Sequence, residues 1–141
     1  NVVGAALDGL TQIMEDRCIH TLQPIGGLHH AARGGAAGFC VFNDMGVVVE
    51  TLRHRYGVSR VGYLDIDVHH GDGIFYAFED DPDLIFADVH QDSRTLYPGT
   101  GRTDEIGRGS GRGAKLNIEL PPGSGDLAQL CRGPPPPRRC P

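Results

Sequence analysis

Apolar residues at positions 3, 6, 7, 10, 13 and 14 recur with helical spacing and predict an amphipathic helix over Val2–Glu15. The Gly- and Ala-rich segment Pro24–Gly38 has no such period and reads as a functional loop. Asn43 or Asp44 can cap a second helix that runs to about Arg55. Val47, Val48 and Leu52 would face inward, and Gly57 fits the C-terminal cap. Val61–Asp67 reads as a strand, and Asp72–Phe78 as a short helix that begins at a Gly-Asp-Gly turn. Asp81-Pro82-Asp83 breaks that helix. Leu84–Val89 predicts a second strand ending at His90, Arg94–Ser110 a loop, and Ala114–Leu120 a third strand. Strands alternating with helices imply an α/β fold with a parallel sheet. Ligand sites in such sheets lie beyond the C-terminal strand ends. Both the Asp65–Asp72 stretch and His90 fall there.

The chain has 141 residues, enough for one domain with a modest core. With 13 basic and 18 acidic residues the net charge is −5, which argues against direct nucleic-acid binding. No apolar stretch reaches membrane-spanning length, and no signal-peptide pattern is present. Cys18, Cys40, Cys131 and Cys140 form no CxxC pair, so a thiolate zinc knuckle is not indicated and a reducing cytoplasm is the default location. The first residue is Asn, inside a helical pattern, which suggests a central fragment. Residues 127–141 form a Pro-rich tail ending CRGPPPPRRCP, with no core-forming period. One reading is a disordered linker or SH3-type ligand. The preferred reading is a tail that is not native sequence, with the coding frame lost after about Asp126, because composition changes abruptly where a helix should follow.

The candidate chemistry concentrates in Asp65-Ile66-Asp67-Val68-His69-His70-Gly71-Asp72-Gly73. Alternate side chains of an extended chain share a face, which would align Asp65, Asp67 and His69. A carboxylate and an imidazole so placed can bind one divalent cation, and catalytic zinc takes three protein ligands plus water. So many polar groups at a strand end make little sense as packing. A second constellation, Gly26-Gly27-Leu28-His29-His30-Ala31, places adjacent histidines in a Gly-rich loop. Adjacent histidines on an extended chain face opposite ways, so a pair of pocket-lining bases is more plausible than a shared zinc. Such bases need carboxylate partners, and Asp65 and Asp72 are available.

Together GGLHHA, GFCVFND, DIDVHHGDG and LYPGTG, in this order, resemble the zinc-dependent histone deacetylase superfamily. That superfamily includes bacterial histone deacetylase-like proteins, acetylpolyamine amidohydrolases and acetoin-utilisation proteins, and the chain reads most like a bacterial member. The resemblance runs from about Pro24 to Asp126. It implies a three-layer α/β fold of the arginase/deacetylase-like type with a parallel sheet, here incomplete, with residues 1–126 forming a partial deacetylase domain. It implies that Asp67 and His69 are two of three zinc ligands. His29 and His30 would be the paired catalytic histidines beside the activated water, oriented by Asp65 and Asp72. Gly38 would offer its carbonyl to the substrate amide, and Phe39 and Tyr97 would wall a narrow channel for an acyl-lysine stem. A structural K+ or Na+ would sit at Asp65, Asp67, His69, Asp88 and Val89, largely on main-chain oxygens.

The family's third zinc ligand, a later Asp, and its late oxyanion-stabilising Tyr have no candidates in this sequence. Asp126 comes too early and lies in PPGSGD. The isolated chain is therefore expected to hold zinc poorly and to be inactive. The implied activity is hydrolysis of acetyl-lysine, an acetylated polyamine or a small acetylated amine. A binuclear ureohydrolase is disfavoured, because it would place carboxylates where His29 and His30 stand. A non-catalytic pseudoenzyme or degraded gene product acting through partner binding is the other alternative. Oligomeric state is not legible in the sequence.

Overall fold

The computed structural model describes residues 1–125. The tail 127–141, Asp126, Cys131 and Cys140 lie outside the described residues. Helix α1 spans Val2–Met14 and buries Ala6 and Leu10. Helix α2 spans Asp44–Tyr56, and α1 packs against it. The side chain of Asn43 accepts the Gly46 N–H, and Gly57 closes the helix in the left-handed region at φ 69°. Both caps agree with the sequence pattern.

Strand β1 covers Val61–Asp65, helix α3 Asp72–Ala77, strand β2 Leu84–Gln91 and strand β3 Lys115–Leu120. A single 3-10 turn, Gly109–Gly111, interrupts the segment expected as loop. The three strands form one parallel sheet in the order β1-β2-β3. Tyr63 pairs with Phe86 across β1 and β2, and the two rings stack at 5.5 Å. The core lies between this sheet face and the helices: Val49 from α2, Ile74 and Phe75 from α3, then Phe78, Leu84 and Phe86. Burying each such side chain stabilises by about 1.5–3 kcal/mol.

The opposite sheet face is open in the described residues. Leu64, Ile85 and Leu116 are 67%, 44% and 50% exposed. The described residues therefore supply the sheet and a helical layer on one side of it.

Two strand expectations need correction. Strand β1 stops at Asp65 rather than Asp67, because local turns take over the hydrogen bonding. Asp67 N–H donates to Asp65 Oδ1, and His69 N–H donates to Asp67 Oδ1. His90 lies inside β2 rather than beyond it, since the strand continues to Gln91.

Candidate active site

The turn after β1 and the start of α3 deliver the acids. Asp65 ends β1 with its carboxylate buried, while Asp72 opens α3. The loop before α2 delivers the histidines. His29 and His30 are both buried, with ring centroids 4.2 Å apart. His29 Nδ1 lies 2.8 Å from Asp65 Oδ2, and His30 Nδ1 lies 2.6 Å from Asp72 Oδ1. A carboxylate only accepts, so each ring carries its proton on Nδ1. The two sequence constellations, more than thirty residues apart, thus meet as two His–Asp pairs.

Asp67 and His69 are close but not aligned as strand neighbours. Asp67 Oδ1 and His69 Nδ1 are 2.9 Å apart, and both side chains are partly exposed. Two successive Asx-type turns make this pairing, not β alternation, and Asp65 is directed to His29 instead. A cleft of about 550 Å³ is lined by His29, His30, Asp67, His69, Gly38, Phe39 and Tyr97, together with Gly27 and Cys40. Tyr97 stands edge-on to His30, with centroids 5.0 Å apart. Phe39 is fully exposed at the lip, and both Gly38 and Phe39 have positive φ, 52° and 63°. A bulky residue held in that region is uncommon and marks constraint at a functional loop. The backbone turns tightly there, with Ala37 and Cys40 bonded to each other in both directions. A larger groove of about 840 Å³ lies between α2 and residues 31–36, away from these acids and away from His29 and His30.

The electrostatics follow from these contacts. Burial alone would lower the pKa of His29, but the hydrogen bond and charge of Asp65 outweigh it and raise it. Burial would raise Asp65, yet the bonds from His29, Asp67 N–H and Tyr63 hold it below the usual carboxylate range. Asp67 is also lowered: burial opposes this, and the His69 backbone and ring outweigh burial. Asp88 is raised by its complete burial. Its two oxygens accept the Gly71 N–H and the His90 Nδ1–H.

Of the expected cation positions, Asp65 and Asp88 are register partners on β1 and β2. Val89 follows on the half-open face, and Asp67 and His69 lie in the turn after β1. Sequence reasoning gave no specific role to several supporting groups. Tyr63 donates its hydroxyl to Asp65 Oδ2 at 2.9 Å, a partner that the two-residue strand spacing could have revealed. His70, fully buried, reaches Thr100 Oγ1 at 2.9 Å, and burial pushes its pKa down to about 3. His90 Nε2 donates to the Gly101 carbonyl at 2.8 Å. These two buried histidines pin the loop that carries Tyr97.

Comparison with known proteins fits this geometry. A family model described as the histone deacetylase domain matches residues 1–131. The chain belongs to the histone deacetylase family. It is 41% identical over 119 residues to the acetoin utilization protein AcuC of Bacillus subtilis, covering 84% of this chain and 30% of that protein. It is 44% identical over 128 residues to a probable deacetylase of Methanothermobacter thermautotrophicus, covering 90% and 38%. The crystal structure of an HDAC homolog from Aquifex aeolicus superposes with a TM-score of 0.84 at 34% identity, over 92% of this chain and 35% of that one. An HDAC homolog complexed with SAHA gives a TM-score of 0.79 at 35% identity, over 85% and 32%. The fold is therefore that of the deacetylases. The chain spans about a third of the length of these relatives.

Asp67 and His69 offer an oxygen and a nitrogen side by side at the cleft, which fits two positions of a zinc site. Among the described residues, no group of three or more His, Cys, Asp or Glu side chains is arranged to hold a metal ion. No helix of the described residues is long and apolar enough to cross a membrane.

Proposed function

We propose that this segment carries the catalytic half-site of a zinc-dependent deacetylase, an amidohydrolase acting on acetyl-lysine or another acetylated amine. The observation that supports it most is the double dyad, His29–Asp65 and His30–Asp72, whose histidines line one cleft with Asp67 and His69. In this reading Asp67 and His69 hold zinc, with a third ligand from outside the described residues. Zinc in such a site polarises the acyl carbonyl and makes water acidic enough to react near neutral pH.

The chain's own residues supply the proton chemistry. With Nδ1 protonated and held by a carboxylate, each ring presents Nε2 as the base. One histidine accepts a proton from the attacking water at Nε2. A protonated histidine then gives a proton to the departing amine, so the amine leaves neutral. Asp65 and Asp72 fix ring orientation and stabilise the charged ring. The Gly38 carbonyl would accept the substrate amide N–H. Phe39 and Tyr97 would flank a methylene stem, positioning a substrate whose reactive group is at its tip. The HDAC homolog solved in complex with SAHA supports a ligand-binding cleft in this fold. Asp65, Asp67, His69, Asp88 and Val89 would hold a structural K+ or Na+, supported by the adjacency of Asp65 and Asp88 in the sheet.

The test is a completed domain, residues 1–125 of this chain joined to the remaining portion of the Bacillus relative. Chelator-sensitive hydrolysis of an acetyl-lysine peptide, restored by zinc and abolished by His30→Ala, is the expected result. A folded completed domain that binds zinc and shows no turnover would favour the partner-binding alternative.

A further inference from the structure

The Asn43-Asp44 pair belongs to the GFCVFND motif, yet the proposed chemistry gives it no task. Asp44 is completely buried at the first position of α2. A buried carboxylate is costly unless each oxygen finds a donor. Here Oδ2 accepts the Gly27 N–H at 2.9 Å and Oδ1 accepts the Leu28 N–H at 2.8 Å. These are the two residues directly before His29. The N-terminal end of α2 adds favourable potential to the same carboxylate.

The glycines of this loop answer to that grip. A Cβ on Gly26 would stand 2.6 Å from Asp44 Oδ2, and Gly27 has φ 80°. Asn43 holds the loop from the other side. Its Oδ1 caps α2 through the Gly46 N–H, so its Nδ2 is free to donate. Nδ2 lies 3.0 Å from the Ala31 carbonyl and 3.4 Å from that of His29. Opposite, a Cβ on Gly73 would come within 2.5 Å of both those carbonyls. The backbone of His29–Ala31 is thus pressed between Asn43 and the first turn of α3, while Gly27 and Leu28 hang from Asp44.

We infer that Asn43 and Asp44 are positioning residues that set the two catalytic histidines: they fix the backbone of residues 27–31 so that His29 meets Asp65 and His30 meets Asp72. The inference rests on the proposed role of those histidines but makes a separate structural claim. Asn43 is the sharper probe, because its two functions sit on different atoms. Asn43→Asp keeps an oxygen for the helix cap and removes the donor. Asn43→Ser adds no charge and keeps an oxygen for the cap; its single, shorter hydroxyl replaces both amide atoms, so the separate donor that reaches the Ala31 carbonyl is lost. Both residues are good N-caps, so a residue that merely ends a helix would tolerate either change.

The experiment uses the 141-residue chain labelled at histidine, with imidazole N–H signals read by NMR. Expected for wild type are protected Nδ1–H signals for His29 and His30. In Asn43→Asp and Asn43→Ser these signals should disappear or move, while the His90 signal, held by Asp88, stays and α2 melts as in wild type. Unchanged His29 and His30 signals in either folded variant would overturn the inference. If neither variant folds, hydrogen exchange of the wild-type Gly27 and Leu28 amides decides. Exchange at least 100-fold slower than in an unstructured chain supports the grip of Asp44, and exchange at the unstructured rate overturns it. In the completed domain the same variants should lower kcat about 10–100-fold with KM little changed. Lost signals with normal kcat would sink the role given to the histidines and leave the positioning intact. Retained signals would sink the positioning whatever the turnover.

Discussion

Replacing Gly38 by alanine should damage this site in two separable ways. The first is conformational: Gly38 has φ 52°, where a side chain costs about 1–2 kcal/mol. The second is steric. The new Cβ would lie 2.3 Å from His30 Cδ2, 2.6 Å from Cγ and 2.8 Å from Cβ. The ring would have to retreat by about 1 Å to restore ordinary contact, and overpacking of this kind costs about 1–3 kcal/mol. His30 has little room to retreat. Asp72 holds Nδ1 at 2.6 Å, His29 lies 4.2 Å away and Tyr97 stands edge-on at 5.0 Å. We therefore expect Gly38→Ala to destabilise the 141-residue chain by about 2–5 kcal/mol in urea unfolding. In the completed domain it should lower kcat/KM about 100-fold, the scale of a 1 Å misplacement. Gly113→Ala is the control: φ is 89° there, but nothing lies within 4 Å of the added Cβ. It isolates the conformational cost and should leave activity unchanged. If Gly38→Ala loses no more stability than Gly113→Ala and keeps its kcat/KM, the packing of His30 against Gly38 is not what the geometry implies.

Asp72→Asn in the completed domain should reduce turnover about 10–100-fold while zinc content, read by metal analysis, stays the same. A variant that loses zinc yet keeps its rate per bound metal would contradict the role of Asp72. The 141-residue chain alone should bind zinc weakly and show no acetyl-lysine hydrolysis, because the proposed site has only Asp67 and His69 among the described residues where three ligands are needed. Stoichiometric zinc with turnover would mean that the missing groups come from elsewhere in the chain or from a partner. Glu119 should contribute acid-sensitive stability. Burial raises its pKa, but bonds from Ser93 and Thr103 outweigh burial and hold it below the ordinary 4.5. That stabilisation is present above pH 4.5 and is lost as pH falls through the depressed value. Urea unfolding across pH 3–6 should show wild type weakening toward acid and Glu119→Gln weakening less steeply; parallel curves would refute the assignment.

The sequence made some of this legible and hid the rest for identifiable reasons. The caps of α2 were readable because capping is local: an Asn that reaches three residues on and a Gly that ends the helix. Residue type alone offered Asp65 and Asp72 only as available partners among 18 acidic residues; their one-to-one pairing with His29 and His30 was implied by the family resemblance, and the structure shows both contacts. Strand alternation past Asp65 misled, because Asp65 and Asp67 turn the chain by accepting the N–H two residues on. The bonds of Asn43 and Asp44 to residues 27–31 join parts of the chain that no local period connects.

Strand β3 reverses the usual polarity rule, and the reversal carries information. Its alternation places Lys115 and Asn117 on one face and Leu116 and Ile118 on the other. The simple rule would send the polar set to solvent. Instead Lys115 and Asn117 are buried and Leu116 is half exposed. Most of the polar face is bonded inside: Lys115 Nζ donates to the carbonyls of Asp81 and Leu84, and Asn117 Nδ2 donates to that of Glu105, while Asn117 Oδ1 has no partner among the described residues. These bonds attach β3 to the turn before β2 and to the loop that carries Tyr97. The apolar face of the same strand continues across Ile85 to Leu64. Parallel sheets are normally covered on both faces, so an apolar set on each side is what a doubly covered sheet requires. The buried polar anchors and the exposed leucines are thus two sides of one arrangement. The anchors hold the site loops to the covered face, and the open face is shaped for a further layer such as the longer relatives have length to provide.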